Sequence, residues 1–161
     1  MTIRFDNQVV IVTGSGHGLG KYHALEFAKR GARVVVNDLG GSRDGIGSSS
    51  EAAQVVAEEI VAGGGEAIAN GANVANYDQV EVMVAQAIDK WGRVDALVNN
   101  AGILRDKTFA KMDLANFHTV VAVHLQGSVN CTKAVWSHMR EQQYGRIVMT
   151  TSSSGLYGNF G

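Results

Sequence analysis

The chain has 161 residues, 45% of them hydrophobic and 18% charged, with a net charge of −1. Its length fits one domain and its composition a globular chain with a real core. The near-zero charge gives no electrostatic basis for binding nucleic acid or an anionic membrane. A single cysteine, Cys131, leaves no partner for an internal disulfide and points to a reducing compartment.

The first apolar run, Val9-Val10-Ile11-Val12, predicts a strand over 8–13. It meets Thr13-Gly14-Ser15-Gly16-His17-Gly18-Leu19-Gly20, a glycine turn opening a helix from 18 to 30. That helix carries Leu19, His23, Phe27 and Ala28 at helical spacing and stops at Gly31. A second strand, 33–37, ends in Asn37-Asp38, and a glycine-rich loop runs from Leu39 to Gly47. Ser48-Ser49-Ser50-Glu51 caps the next helix, which ends at Gly63-Gly64-Gly65. Strand three is 66–70. Asp78 or Asn76 caps a helix reaching Trp91, and strand four is Val94 to Val98. Asn99-Asn100-Ala101-Gly102 turns out of it. Asp113 begins a long helical region to about Glu141, strand five is Arg146 to Thr150, and a Ser/Gly-rich tail follows.

Strands alternate with helices, and the strands are continuous Val/Ile runs, so both faces of the sheet are covered. The fold class is therefore α/β, a doubly wound parallel sheet (Rossmann fold) in three layers, with 1–161 forming one dinucleotide-binding domain. In such sheets the ligand lies at the strand C-termini, at the switch point between strands one and four. The glycine turn, Asp38, Asn99 to Gly102 and Ser152 all fall at strand C-termini.

A strand, a glycine turn, a helix and an acid 18 residues past Gly20 make a dinucleotide site, near the roughly 20-residue spacing expected. The alternative is a plain turn, since the third glycine of G-x-G-x-x-G is replaced by Leu19. Backbone N–H groups and the helix dipole suit the pyrophosphate. A carboxylate at Asp38 bonds ribose hydroxyls and repels a 2′-phosphate, which favours NAD over NADP. Its alternative role is that of a turn residue capping a loop. Arg43 is within reach of a phosphate, or is a solvated charge.

Thr13-Gly14-x-x-x-Gly18-x-Gly20, Asn99-Asn100-Ala101-Gly102 and Ser152-Ser153-Ser154-Gly155, in that order and each after a strand, resemble the short-chain dehydrogenase/reductase family. Finer runs are similar to the (3R)-hydroxyacyl-CoA dehydrogenase part of multifunctional β-oxidation enzymes. These are Val36-Asn37-Asp38-Leu39-Gly40-Gly41, Gly102-Ile103-Leu104-Arg105-Asp106, Tyr144-Gly145-Arg146-Ile147 and Tyr157-Gly158-Asn159-Phe160-Gly161. The resemblance implies NAD-dependent hydride transfer between NAD(H) and a secondary alcohol or ketone, with an acyl-CoA-like small molecule as substrate. It implies cofactor contacts from Gly14, Ser15, Gly18, Leu19, Gly20, Asp38, Asn73, Val74, Asn100, Ala101 and Gly102. Asn73-Val74 stands where many members have Asp-Val. Ser152 matches the serine that positions the substrate oxygen, with Ser153 and Ser154 as second choices. His124, in place of the usual helix Asn, is either a proton relay or a satisfied buried histidine.

The family's Tyr-x-x-x-Lys is expected past Gly161, and none of Tyr22, Tyr77, Tyr144 and Tyr157 has a lysine four residues on. Proline is absent, where average usage of about 5% would give about eight. Both features read as the N-terminal part of a longer enzyme whose C-terminal strands are missing, itself inactive. They also leave open a non-catalytic dinucleotide-binding fragment or half of a split enzyme. Strand five would then be an uncovered apolar edge. The resemblance also implies a homo-oligomeric parent, with Trp136 and Met139 in the core or at a subunit contact. Scattered His17, His23, His118 and His138 give no metal site. No apolar run approaches the ~18 residues of a membrane span, no apolar leader follows Met1, and cytoplasm is the expected location.

Overall fold

Uninterrupted Val/Ile/Leu segments suit strands buried on both faces, and the computed structural model, which describes residues 3–47, 49 and 51–159, buries Val9–Val12 and Val34–Val36 in this way. The strands are β1 (Val9–Thr13), β2 (Arg33–Asn37), β3 (Glu66–Asn70), β4 (Ala96–Asn99) and β5 (Arg146–Met149). They form one parallel sheet in the order β3-β2-β1-β4-β5. Every residue of β1 is buried.

Alternate side chains of β1 feed two separate cores. Val10 and Val12, with Val34, Val36 and Val98, pack under α1 (Gly18–Lys29) and α2 (Glu51–Ala62). Val9 and Ile11, with Val35 and Leu97, pack under α3 (Tyr77–Trp91) and α5 (Gly127–Glu141). The period-2 alternation of a strand is what divides one valine run between the two layers.

The caps follow the sequence. The Asn76 side chain accepts from Gln79 N, so Asn76 rather than Asp78 caps α3, and Gly92 ends it with φ of +76°. Asp113 accepts from Ala115 N and caps α4 (Leu114–Val121). Ser49 Oγ accepts from Glu51 N at 3.2 Å at the start of α2. The expected contributions of Ser48 and Ser50 lie outside the described residues.

Two expectations are refined. The inward face of α1 is Gly20 and Ala24, while Leu19 and His23 are exposed. The helix sits so close to the glycine turn that only small residues fit beneath it. The helical region after Asp113 does run to Glu141, but with Ala122–Gln126 as a π turn between α4 and α5. Gly127 is pressed against Val74, with its Cβ position 2.7 Å from Val74 Cγ2, and Ser128 Oγ donates to His124 O at 2.6 Å. Of the two residues expected in the core or at a subunit contact, Met139 is in the core and Trp136 is half exposed outside it. Residues 154–157 of the tail form a short α6 (Ser154–Tyr157).

Cys131 is fully buried on α5, and burial pushes its thiol up to about 12. A thiol held protonated and out of solvent is inert. Iodoacetamide at neutral pH is expected to leave Cys131 unmodified in the folded protein and to label it fully after denaturation. Labelling at equal rates in both states would contradict this placement.

Candidate functional site

β1 is the strand at which the winding reverses, with β2 and β3 on one side and β4 and β5 on the other. The ends of β1 and β4 therefore open a crevice, the usual ligand position in such sheets. One hydroxyl joins the two strand ends. Thr13 Oγ1 accepts from Asn100 N and Ala101 N, both at 3.0 Å, and donates to Val98 O at 3.3 Å. Asn100 Nδ2 donates back to Thr13 O at 2.9 Å and Gly14 O at 3.0 Å. The walls on both sides of the crevice are thereby fixed to each other.

The glycine turn forms its floor. Gly14 has φ of +62°, and its Cβ position lies 2.7 Å from Ala101 Cα, so no side chain fits there. Ser15 is buried, and its hydroxyl shares its hydrogen between Val12 O (2.7 Å) and Asn37 O (3.2 Å). His17, the N-cap of α1, supplies no side-chain cap, and the first backbone bond to the cap is Lys21 N to His17 O. Among the described residues, the N–H groups of Gly18, Leu19 and Gly20 donate to no protein acceptor. They remain available to an anion, with the positive end of the helix dipole behind them.

Asp38 faces this turn. Its Oδ2 accepts from Gly16 N at 2.8 Å and its Oδ1 from Gly40 N at 2.7 Å. The second bond is the loop-capping role foreseen as an alternative; the first ties the carboxylate to the glycine turn 22 residues away in sequence. Each oxygen keeps a lone pair for a further donor. Behind Asp38, a buried amide chain holds the strand ends level. Asn37 Nδ2 donates to Asn70 Oδ1 and Ala72 O, both at 3.0 Å, and Asn70 Nδ2 donates to Gln86 Oε1 at 2.9 Å.

The remaining candidates are placed differently. Val74 is buried in the core, and its carbonyl accepts from Asn130 Nδ2 at 2.9 Å, so its side chain is a packing group. The Asn73 side chain accepts from Ala75 N at 3.0 Å, making a local turn. His124 is exposed rather than buried and sits in the π turn. Its Nε2 lies 3.0 Å from Ile103 N and 2.9 Å from Ile103 O, so it accepts from the amide when bare and donates to the carbonyl when protonated. The Gly102 Cβ position is 2.7 Å from His124 Cε1, so Gly102 admits the ring. Ser152 is exposed, and its Oγ accepts from Ser154 N at 3.2 Å. A cavity of about 870 Å³ opens between α5 and the end of β5, lined by His124, Ser128, Thr132, Trp136, Met149 and Thr151 among others. Among the described residues, no group of three or more His, Cys, Asp and Glu could hold a metal ion.

The structure thus gathers Gly14 to Gly20, Asp38 and Asn100 to Gly102 into one crevice, with His124 beside it. Sequence reasoning missed the hub role of Thr13, the Asn37–Asn70 pair and Arg105, whose Nε donates to Asp44 O at 2.8 Å. The first two carried a signal, a polar residue closing each apolar run. Arg105 carried none.

The short chain dehydrogenase model matches residues 8–161. Peroxisomal multifunctional enzyme A of Dictyostelium discoideum is 57% identical over 164 residues, covering 100% of this chain and 36% of that protein. Peroxisomal multifunctional enzyme type 2 of Mus musculus is 53% identical over 162 residues, covering 99% of this chain and 21% of that protein. The chain therefore spans little more than a third of the first relative and about a fifth of the second. A solved structure of 7α-hydroxysteroid dehydrogenase complexed with NADH and 7-oxo glycochenodeoxycholic acid superposes with a TM-score of 0.87 at 32% identity, covering 98% of this chain and 58% of that one. A family model that matches nearly the whole chain, on a sheet wound as that structure's is, places the protein: it belongs to the short-chain dehydrogenase family.

Proposed function

We propose that this chain is the NAD-binding part of an oxidoreductase that moves a hydride between NAD(H) and a secondary alcohol or ketone, with a 3-hydroxyacyl-CoA as substrate. The observation that carries the cofactor choice is the Asp38 carboxylate, held over the glycine turn by the N–H groups of Gly16 and Gly40. Held there, it accepts from ribose hydroxyls and repels a 2′-phosphate. NADH in a structural relative supports the same reading.

Placement in the crevice supports the roles of the turn and wall residues, and the family resemblance supports those of Ser152 and His124. The N–H groups of Gly18, Leu19 and Gly20 receive the pyrophosphate, and Gly14 and Ser15 shape the turn. Asn100, Ala101 and Gly102 line the opposite wall. Asn73 and Val74 bound the adenine end, Val74 through its backbone. When bound, the nicotinamide supplies or takes the hydride. Ser152 orients the substrate oxygen by donating its hydroxyl hydrogen. His124 is the proton relay in this reading: a proton taken up at one ring nitrogen is released from the other to water, and Nε2 holds Ile103 N when bare and Ile103 O when it carries the hydrogen. The acyl-CoA assignment rests on the two multifunctional relatives.

A second copy of the chain is the proposed protein partner. Leu114, Phe117, Leu125, Val129 and Trp136 are exposed along α4, the π turn and α5, an apolar stripe suited to a helix from another subunit. No helix among the described residues is long and apolar enough to cross a membrane. For location, the cytoplasmic expectation competes with the peroxisomal names of both curated relatives.

The test is an assay of the gene product containing this chain, following NADH absorbance with a short 3-ketoacyl-CoA. The expected result is one NADH oxidised per 3-hydroxyacyl-CoA formed, with NADPH far slower. A preference for NADPH, or no turnover with a panel of ketones, would refute the proposal.

A further inference from the structure

The glycine-rich loop after β2 is longer than a turn to α2 requires, and its path has a purpose. Its neck is closed, with Ser49 N donating to Leu39 O at 2.8 Å. Its tip is a self-bonded turn, in which Ser42 N donates to Ile46 O at 2.9 Å and Gly45 N to Ser42 O at 2.8 Å. The Ser42 hydroxyl bonds the Asp44 carboxylate as well. This tip docks away from β2, on the segment that follows β4. Leu104 N donates to Arg43 O at 3.0 Å, and Arg105 Nε donates to Asp44 O at 2.8 Å. The Cβ position of Gly45 lies 3.1 Å from Ile103 Cγ2, so the tip backbone rests on that side chain. Arg105 is itself anchored, its Nη1 donating to Asn116 Oδ1 at 2.7 Å on α4.

β2 and β4 are the two neighbours of β1. A loop that starts at the end of β2 and docks beyond the end of β4 must cross the end of β1. That is where the glycine turn lies. The loop root is Asp38, and the docking segment begins directly after Gly102. Both walls of the crevice are thus joined over its mouth.

We propose that residues 39–47 are a strap across the dinucleotide crevice, latched by Arg105, and that opening this latch governs release of the cofactor. The proposal rests on the preceding reading that the crevice takes NAD(H). Arg105 is a positioning residue, acting through the Asp44 carbonyl and Asn116 rather than on the nucleotide. Gly40, Gly45 and Gly47 have positive φ, one at the root of the strap and two after the Arg43–Asp44 contact, so the strap turns at positions where larger residues would be strained.

Two readouts test this. The first is release of NADH, displaced by excess NAD in a stopped-flow fluorimeter. The second is tryptic cleavage after Arg43, an exposed residue at the strap tip, without nucleotide. Arg105→Met keeps the side-chain stem and removes the charged donors. It is expected to speed both NADH release and cleavage after Arg43 by about tenfold, the worth of one charge-assisted hydrogen bond. Its thermal midpoint should match the wild type, and Arg105→Lys should fall between. Wild-type protein that binds NADH, with release unchanged in Arg105→Met, would overturn the strap alone. Faster cleavage with unchanged release would also overturn it, since the latch would then not govern the cofactor. Wild-type protein that bound no NADH would overturn the cofactor reading itself.

Discussion

Gly20→Ala protein is expected to lose NADH affinity by at least about 100-fold while keeping its sheet. The β-carbon added at Gly20 falls on the Gly14 carbonyl oxygen and 2.5 Å from Asn100 Nδ2. Both are fixed parts of the crevice, since Asn100 Nδ2 donates to Gly14 O and Thr13 O. A flexible side chain cannot swing away to absorb the clash. Either α1 lifts off the turn or the turn opens, and the N–H groups of the first helical turn leave the position of the phosphates. Overpacking of this kind costs about 1–3 kcal/mol of stability. Affinity is expected to suffer more, because in the proposed reading every phosphate contact depends on the same turn. NADH fluorescence titration measures the loss, and circular dichroism checks the fold. Unchanged affinity in a folded variant would show that the turn does not seat the cofactor.

The second large effect lies at the opposite end of the sheet. Asp95 is fully buried, where Val94 and Asp95 precede β4 instead of belonging to it. Its Oδ2 accepts from Val9 N and Arg93 Nε, both at 2.8 Å, and its Oδ1 from Arg93 Nη2 at 2.6 Å. The carboxylate thus satisfies the first amide of β1, and it raises the pKa of Arg93 by hydrogen bonding. Asp95→Ala strands a buried N–H and releases the guanidinium. The expected loss is about 3 kcal/mol, mostly the desolvated amide, because Arg93 is partly exposed and recovers water. Asp95→Asn keeps an acceptor for Val9 N and should lose about half as much. Urea unfolding should show a lower midpoint with an unchanged slope. An unaltered midpoint in Asp95→Ala would contradict the role assigned to this carboxylate.

What was legible from the sequence follows a physical division. A strand covered on both faces must be apolar throughout, so β1 and β2 stand out as valine runs. Glycines at helix ends need positive φ, and Gly92 supplies it at +76°. Sites built from strand ends are legible once the strands are known, which is why Asp38 and Asn100 to Gly102 were placed together. Packing distances were not legible. Leu19 keeps helical spacing, yet α1 approaches its turn too closely for a leucine beneath it, so Gly20 and Ala24 take the inner face. The π turn at His124 adjoins the contact of Gly127 with Val74, and local periodicity encodes neither. The docking of Asp44 on Arg105 joins residues 61 apart, through a backbone carbonyl that any residue could have supplied.

The central claim is that the carboxylate of Asp38, fixed by Gly16 and Gly40, selects a dinucleotide without a 2′-phosphate. Isothermal titration of the protein with NADH and with NADPH tests it most directly. The expected result is saturable binding of NADH, with NADPH bound about 100-fold or more weakly, since a phosphate against that carboxylate costs several kcal/mol. Equal or tighter binding of NADPH, or no heat with NADH from a folded sample, would contradict it.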